Sequence, residues 1–553
     1  MNLPRASSHD SPTPAGGPAG ARRARRRAGL AVLCAAALII NVDNTILNVA
    51  LPTLVRDLHA TTSQLQWVVD SYAMVLGGLL LTGGSLADRF GRRLFFAAGL
   101  AVFAAGSAVA ALAGSAPWLI AGRAVMGAGA ALVIPSSLSI ISDIFRTPAG
   151  RARAIGAWAA TIGLGIALGP IAGGLLLSRF WWGSIFLVNI PIAAAALAAA
   201  LALVPRSRNP AAGRPDPGGA ALSVTGLGLL LWAVIEAPVN GWTSLVVAAT
   251  GLGSVAVLAG FAAWEARSSH PMLDPGVFAS PRFSVAAAAE ILGAFGLLGG
   301  LFLQTQFLQS DLGYSPLQAG LRILPLAGVL IVTAAAAPAV SRRTGARIAA
   351  AGGLTAIAGG LAQSAAVSAP AVTYGAMLPG MLLVGLGAGL LLPVATDSVV
   401  ASVPAGDSGI GSAANAVALQ AGGALGVAVI GSVLSTRYQD HMTAVLAGHH
   451  LPAAAMHAIL GSLGGALTVA GQADGTAGVQ LAQAARAAFM SGNQAALAVG
   501  AGAALAGACL VLAFLPSQAP RPDAPTRQRS LALPARQRRW RPGRLAVLWR
   551  CHW

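Results

Sequence analysis

Fourteen long apolar runs constrain this chain more than any other feature. They lie near 29–52, 65–87, 94–113, 117–141, 152–177, 185–204, 218–238, 243–264, 284–308, 317–340, 346–367, 373–401, 409–434 and 490–515. A helix of about 20 apolar residues spans the hydrocarbon layer, and lipid obliges such a segment to bond its own backbone groups. Each run is therefore a candidate membrane helix. The period-2 alternation of a membrane barrel is absent. Of the 553 residues, 56% are hydrophobic and only 9% charged, and the mean hydropathy is +0.72. That balance excludes a water-soluble domain. The 69 glycines suit membrane helices, where small residues let backbones approach.

Two polar stretches, 206–217 and 265–283, divide the runs into six, two and six. The organisation read from this is a basic tail over 1–28, a six-helix bundle over 29–204, two linking helices with their loops over 205–282, a second six-helix bundle over 283–516 and a basic tail over 517–553. Residues 1–28 are rich in Pro, Gly, Ser and Arg and read as disordered. Residues 435–489 form one long outer segment. Its histidines, His441, His449, His450 and His457, are irregularly spaced, so a partly helical loop is the better reading than a metal site.

The net charge is +18, and all 35 basic residues are arginine. Of these, 29 fall in the segments on one side of the runs and 4 on the other. Positive segments stay inside, so both termini are expected in the cytoplasm. The same distribution places the basic excess along a membrane face and argues against a nucleic-acid partner. Cys34, Cys509 and Cys551 offer neither a disulfide framework nor metal-ligand spacing.

Charges inside the runs come next, since each costs about 3 kcal/mol or more in hydrocarbon and so marks a functional site. Asp43 lies in IINVDNTILNVALP (39–52), with Asn44, Thr45 and Asn48 as polar neighbours in sequence. Arg123 is the one arginine deep within a run, on the same helix side as Gly127. Its guanidinium must find carboxylates or carbonyls, which would tie helices together. Glu290 sits about two turns into the ninth run with no charged sequence neighbour, which points to a protonation or substrate role. Asp70 reads as partly wet, Glu236 as interfacial, and Asp397 as capping the inner end of its helix.

Three patterns remain. GGSLADRFGRR (83–93) joins the second and third runs. Gly84 is expected to allow close helix approach and Gly91 a tight turn. Asp88, Arg89 and Arg92 can lock one side of the bundle through ion pairs, with Asp143 and Arg151 of the next loop on that side completing the network. AVSRRTGARIAA (339–350) occupies the equivalent place in the second six, and such half-to-half repeats occur in two-bundle transporters. In the fifth run Thr161, Gly165, Gly169 and Gly173 recur every four residues and form one stripe of small side chains. Pro170 removes a helix hydrogen bond beside it. Such a stripe lets a neighbouring helix pack closely and seal one side of a cavity.

The 84–93 pattern resembles the GxLaDrxGrkxxl signature of the major facilitator superfamily. LIAGRAVMGAGAA (119–131) is similar to its LxxxRxxqGxgxA segment, with Met126 where Gln is common. GLGIALGPIAGG (163–174), which carries Gly165, Gly169, Pro170, Gly173 and Gly174, resembles the antiporter signature gxxxGPxxGG. VDNTILNVALP looks like the lDxTivNvALP segment of the fourteen-span drug:proton antiporters of the EmrB/QacA type, and 307–325 and 413–432 agree. The resemblance covers almost the whole chain. It departs at WGSIFLVNIP (182–191), which lacks the Arg of the family's WRWIFLINVP-like run.

The resemblance implies an all-α polytopic protein of the major facilitator fold, with fourteen transmembrane helices arranged 6+2+6, in the cytoplasmic membrane. It implies no enzyme activity and no cofactor, with the proton gradient as energy source. The implied partners are a small-molecule substrate, protons and the bilayer, and the implied state is a monomer. The implied function is proton-coupled efflux of lipophilic or cationic compounds, conferring drug resistance. Arg123 would take part in proton coupling, and the fifth-run signature would be a gate hinge. Two rivals stay open: a dedicated exporter of one endogenous metabolite or antibiotic, and a non-transporting receptor or scaffold.

Overall fold

The computed structural model of the chain describes residues 18–145, 147–208, 216–268, 275–369, 372–403, 408–449, 451–473 and 476–516. Helices account for nearly all of them. In chain order they are α1 (Pro18–Leu58), α2 (Thr62–Phe90), α3 (Arg92–Ala111), α4 (Ala116–Ile144), α5 (Pro148–Arg179), α6 (Ser184–Leu187), α7 (Asn189–Leu203), α8 (Pro217–Asn240), α9 (Leu245–Arg267), α10 (Pro281–Gln306), α11 (Pro316–Thr344), α12 (Ala346–Ala366), α13 (Tyr374–Val400), α14 (Ser408–Val445), α15 (Ala453–Gly461), α16 (Leu463–Gln472) and α17 (Thr476–Phe514). A five-residue π-turn, Phe307–Asp311, extends α10. Among the described residues, fourteen helices are long and apolar enough to cross a membrane, with α6 and α7 sharing the span 184–203. Every expected run has its helix.

Two boundaries differ from the sequence reading. Residues 18–28, expected in a disordered tail, form the first turns of α1. Residues 1–17 and the tail from 517 lie outside the described residues. The 435–489 segment, expected as a partly helical loop, is mostly helical: α14 runs on to Val445, α17 starts at Thr476, and α15 and α16 lie between. The Tyr438 hydroxyl donates to Ile459 O at 2.9 Å and to Ser462 O at 3.3 Å, which ties the short helices to α14.

The half-to-half repeat is visible in the local chemistry of the second helix of each six. Both α2 and α11 begin with a reciprocal capping box, Thr61 with Gln64 and Ser315 with Gln318, which satisfies amide groups that a helix start leaves free. Both end at a glycine with positive φ, Gly91 at 132° and Gly345 at 85°. A side chain is strained there, so glycine lets the next helix start at once.

The end of the molecule that carries these glycine turns is called the turn end below, and the opposite end the distal end. The halves meet chiefly along α5–α11 and α2–α14, with α1 also touching α10, α11 and α16. Among the described residues, three hydrogen bonds between them sit at the distal end. Gln66 Nε2 donates to Ala428 O at 2.7 Å, Gln309 Nε2 to Val49 O at 2.8 Å, and Thr62 Oγ1 to Gly461 O at 3.1 Å. The linking helix α8 lies against both α2 and α14, and α9 packs on α8 with most of its apolar face exposed, including Leu245, Leu252 and Val255.

Candidate functional site

The first bundle encloses a charged cluster. Asp43, midway along α1, is fully buried. Its Oδ2 accepts from Arg123 Nη1 at 2.5 Å, and its Oδ1 accepts from Asn189 Nδ2 at 2.7 Å. Asn189 Nδ2 also lies 3.4 Å from Ser107 Oγ. Arg123, equally buried, donates from Nε to Val68 O at 3.1 Å, and its guanidinium carbon stands 4.3 Å from the centre of the Tyr72 ring. Five helices, α1, α2, α3, α4 and α7, therefore converge on one ion pair. Gly127 brings α4 onto α2 at this level, since a Cβ there would lie 2.6 Å from Tyr72 O. A pair this dry is strongly coupled: removing one partner costs about 3–5 kcal/mol, because the other charge is left buried alone.

Sequence had put Asn44, Thr45 and Asn48 around Asp43. The structure recruits residues distant in the chain instead. Thr45 turns to α5, where its hydroxyl donates to Gly165 O at 2.8 Å, while Asn44 and Asn48 are half-buried. Asn189 was visible inside the 182–191 run, but only the bundle's packing brings it to Asp43.

The small-residue stripe packs on α1. A Cβ at Gly165 would lie 2.5 Å from Asn41 Cβ and one at Gly173 2.9 Å from Ile46 Cγ1, while Gly169 abuts Thr45. Gly174 faces the other way, and a Cβ there would meet Leu317 Cα of α11 at 2.5 Å. Gly320 of α11 abuts the Pro170 carbonyl. One segment of α5 thus holds α1 with one face and the second half of the molecule with the other.

At the turn end Arg92 bridges two carboxylates. Its Nε donates to Asp88 Oδ1 at 2.7 Å, and its Nη1 to Asp143 Oδ2 at 2.5 Å. Arg151 is exposed rather than drawn into this network. Arg89 is half-buried, with its guanidinium 5.6 Å from the Phe90 ring. The close approach assigned to Gly84 belongs to its neighbour: Gly83 abuts the Ala131 carbonyl, whereas a Cβ at Gly84 would make an ordinary 3.4 Å contact with Pro135. Arg92→Ala is expected to change thermal stability by only about 1 kcal/mol, as half-exposed pairs do, yet to depress transport by leaving Asp88 and Asp143 to repel. A thermal melt beside a transport assay checks both halves of that expectation.

The second half holds Glu290 of α10, buried away from solvent. Its Oε1 accepts from Thr396 Oγ1 at 3.4 Å, with Asn415 as its other polar neighbour, and its Oε2 meets no donor among the described residues. It is a second buried carboxylate, in the other bundle from Asp43. Asp70 of α2, read as partly wet, is fully buried, and neither of its oxygens meets a donor among the described residues. Asp397 is exposed.

The sequence model described as Major Facilitator Superfamily matches residues 33–427. The chain is 38% identical over 482 residues to the multidrug efflux pump LfrA of Mycolicibacterium smegmatis, covering 87% of this chain and 95% of that one. It is 33% identical over 515 residues to the tetracenomycin C resistance and export protein of Streptomyces glaucescens, covering 91% and 94%. Among solved structures, the fold matches a bacterial homologue of the human lysosomal transporter Spinster, captured inward-facing and unoccupied. That match has a TM-score of 0.60 at 18% identity over 90% of this chain and 99% of that one. A peptide transporter of the POT type matches at 0.59 and 15% identity over 89% and 97%.

Proposed function

The chain belongs to the Major Facilitator Superfamily, a family of transporters rather than enzymes, and from that premise we propose that it expels small lipophilic or cationic compounds from the cell in exchange for protons. The observation that carries the reading is the Asp43–Arg123–Asn189 cluster, an ion pair sealed inside a bundle whose relatives by sequence are efflux and resistance proteins. An ion pair that is this expensive to disturb is suited to switching: a proton on Asp43 cancels its charge, releases Arg123, and changes how α1, α4 and α7 are tied. Glu290 is the second exchange site, open to substrate or proton from the other bundle. No cofactor is needed, because the gradient supplies the energy.

The arginine distribution supports a cytoplasmic-membrane protein with the turn end and both termini in the cytoplasm, and the reading takes it to work as a monomer. The distal bonds between the halves then tie the outer face together. Rocking of the bundles about a central site would open that face. The Arg92 bridge at the turn end and the α5 segment, with Gly165, Gly169, Pro170, Gly173 and Gly174, are the gating parts of that motion.

A second reading rests on one observation, the 33% identity to a protein named for resistance to and export of a single antibiotic: the substrate is one endogenous compound. One experiment separates the readings. The chain is expressed in a pump-deficient host, and susceptibility is profiled across compound classes with and without an uncoupler. Resistance to several classes that the uncoupler cancels is the expected result. Resistance to one class only favours the dedicated exporter, and resistance that survives the uncoupler removes proton coupling.

A further inference from the structure

The linking helix α8 is bonded to both halves, in unequal ways. Against α2 its contacts run the length of the helix. Near the distal end Glu236 Oε1 accepts from Ser63 Oγ at 2.8 Å and from Trp67 Nε1 at 3.1 Å. Further down, Gly228 would place a Cβ 3.1 Å from the Met74 sulfur. Further still, Gly78 abuts Val224, and Ser223 Oγ stands 3.4 Å from Gly78 O. Against α14 the bonds sit at the distal end. Ser432 Oγ donates to Val234 O at 2.7 Å, and in the turn just after α8 Trp242 Nε1 donates to Thr436 Oγ1 at 3.0 Å. A small apolar cluster, separate from the main core, fills the three-way junction with Ala73, Leu231, Ile235, Ala424 and Ala428. The Ser432 hydroxyl also lies 3.3 Å from Gln66 Nε2, so α14 meets α2 and α8 at one point.

We propose that α8 moves with the first bundle and forms, together with α2, the part of the distal gate that separates from α14, with Glu236 as the residue that positions it. The inference rests on the rocking motion proposed above. When the halves part at the distal end, α8 cannot keep both sets of bonds. On the α2 side the contacts reach from Glu236 down to Ser223 and include a carboxylate, whereas on the α14 side they reach only to the level of Leu231 and Ala424 and the hydrogen bonds are neutral, so the α14 side is the one that parts. Glu236 strengthens the α2 side further, because a carboxylate accepting two donors makes bonds about twice as strong as neutral ones. The linking pair is then a working part of the gate rather than a spacer between bundles.

The test uses spin-label distances in the full chain, with Cys34, Cys509 and Cys551 replaced. Labels go on exposed distal positions: His59 for the first bundle, Asn240 for α8 and Asp440 for the second bundle. Distances are measured at acidic and alkaline pH and in Gly174→Val, which blocks the tight α5–α11 contact. The expected result is a constant His59–Asn240 distance, while Asn240–Asp440 and His59–Asp440 lengthen together by more than the width of their distributions. Asn240 staying with Asp440 while His59 departs overturns the assignment and leaves the rocking motion standing. A constant His59–Asp440 distance under all conditions overturns the rocking motion and the assignment with it. Glu236→Ala should broaden the His59–Asn240 distribution and lower efflux, and Glu236→Gln, which keeps an oxygen acceptor, should restore both. Equal behaviour of the two variants removes Glu236 from the positioning role.

Discussion

Asp43→Asn abolishes efflux driven by a proton gradient and leaves the protein folded. The substitution is nearly isosteric, and the amide oxygen still accepts from Arg123 Nη1, where the carboxylate now sits at 2.5 Å. The other position becomes a donor and faces the Asn189 donor, now at 2.7 Å. Rotation of the Asn189 amide presents its oxygen and repairs that contact. What is lost is the charge, and with it the capacity to take up and release a proton. Asp43→Ala removes the acceptors as well and leaves Arg123 buried and unpaired, a loss of about 3–5 kcal/mol, so it should fold poorly. Two readouts are needed: thermal stability in detergent, and substrate uptake into everted vesicles energised by a proton gradient. Uptake by Asp43→Asn equal to the unmodified protein would remove Asp43 from coupling. The paired change Asp43→Asn with Asn189→Asp keeps one carboxylate, one amide and Arg123 in the same space. It should be about as stable as the unmodified protein and still not transport, since the carboxylate then rides on α7 instead of α1. Restored transport would make the cluster's charge balance the requirement rather than its place on α1.

That cluster also shows where sequence reasoning stops. The fourteen spans, their division into six, two and six, and the turn glycines Gly91 and Gly345 follow from local physics: run length, polar interruptions and the positive φ that only glycine takes freely. Asp43, Arg123 and Glu290 stood out because charge in hydrocarbon is costly wherever the helices go. Their partners did not stand out. Asn189 lies 146 residues from Asp43 and Arg123 lies 80 away, and no periodicity links them. Polar neighbours in sequence were a poor guide, because successive residues on a helix point about 100° apart and Thr45 reaches α5 instead. The same geometry explains Gly83 and Gly84: adjacent residues face different helices, and only the packing says which meets a backbone. Glu236 needed the position of α8 against α2, which nothing near Ser63 or Trp67 encodes.

Gly174→Ala opens the distal seam without unfolding either bundle. Three glycines on one helix separate the effects of fold and gate. At Gly163 a Cβ would lie 3.5 Å from Ile331 Cγ1, an ordinary contact, so Gly163→Ala should leave stability and transport unchanged. Gly169 faces inward to α1, where a Cβ would stand 2.8 Å from Thr45 Cβ and 3.0 Å from Ile46 N. Gly169→Ala therefore strains the first bundle itself, at a cost of about 1–3 kcal/mol for overpacking. Gly174 faces α11 across the seam, with Leu317 Cα at 2.5 Å and Leu317 N at 2.9 Å from a Cβ. Backbone cannot rotate aside as a side chain can, so the halves themselves must part. The readout is a cysteine at Ala428, which is fully buried in the α2–α8–α14 junction. In the unmodified background Ala428→Cys should resist a membrane-impermeant maleimide. With Gly174→Ala it should react from the distal side and efflux should fall, while the melting temperature stays near that of the parent. Gly169→Ala should instead lower the melting temperature and leave the cysteine protected. A protected cysteine together with normal efflux in Gly174→Ala would show that the tight α5–α11 contact is ordinary helix packing and that the seam closes elsewhere.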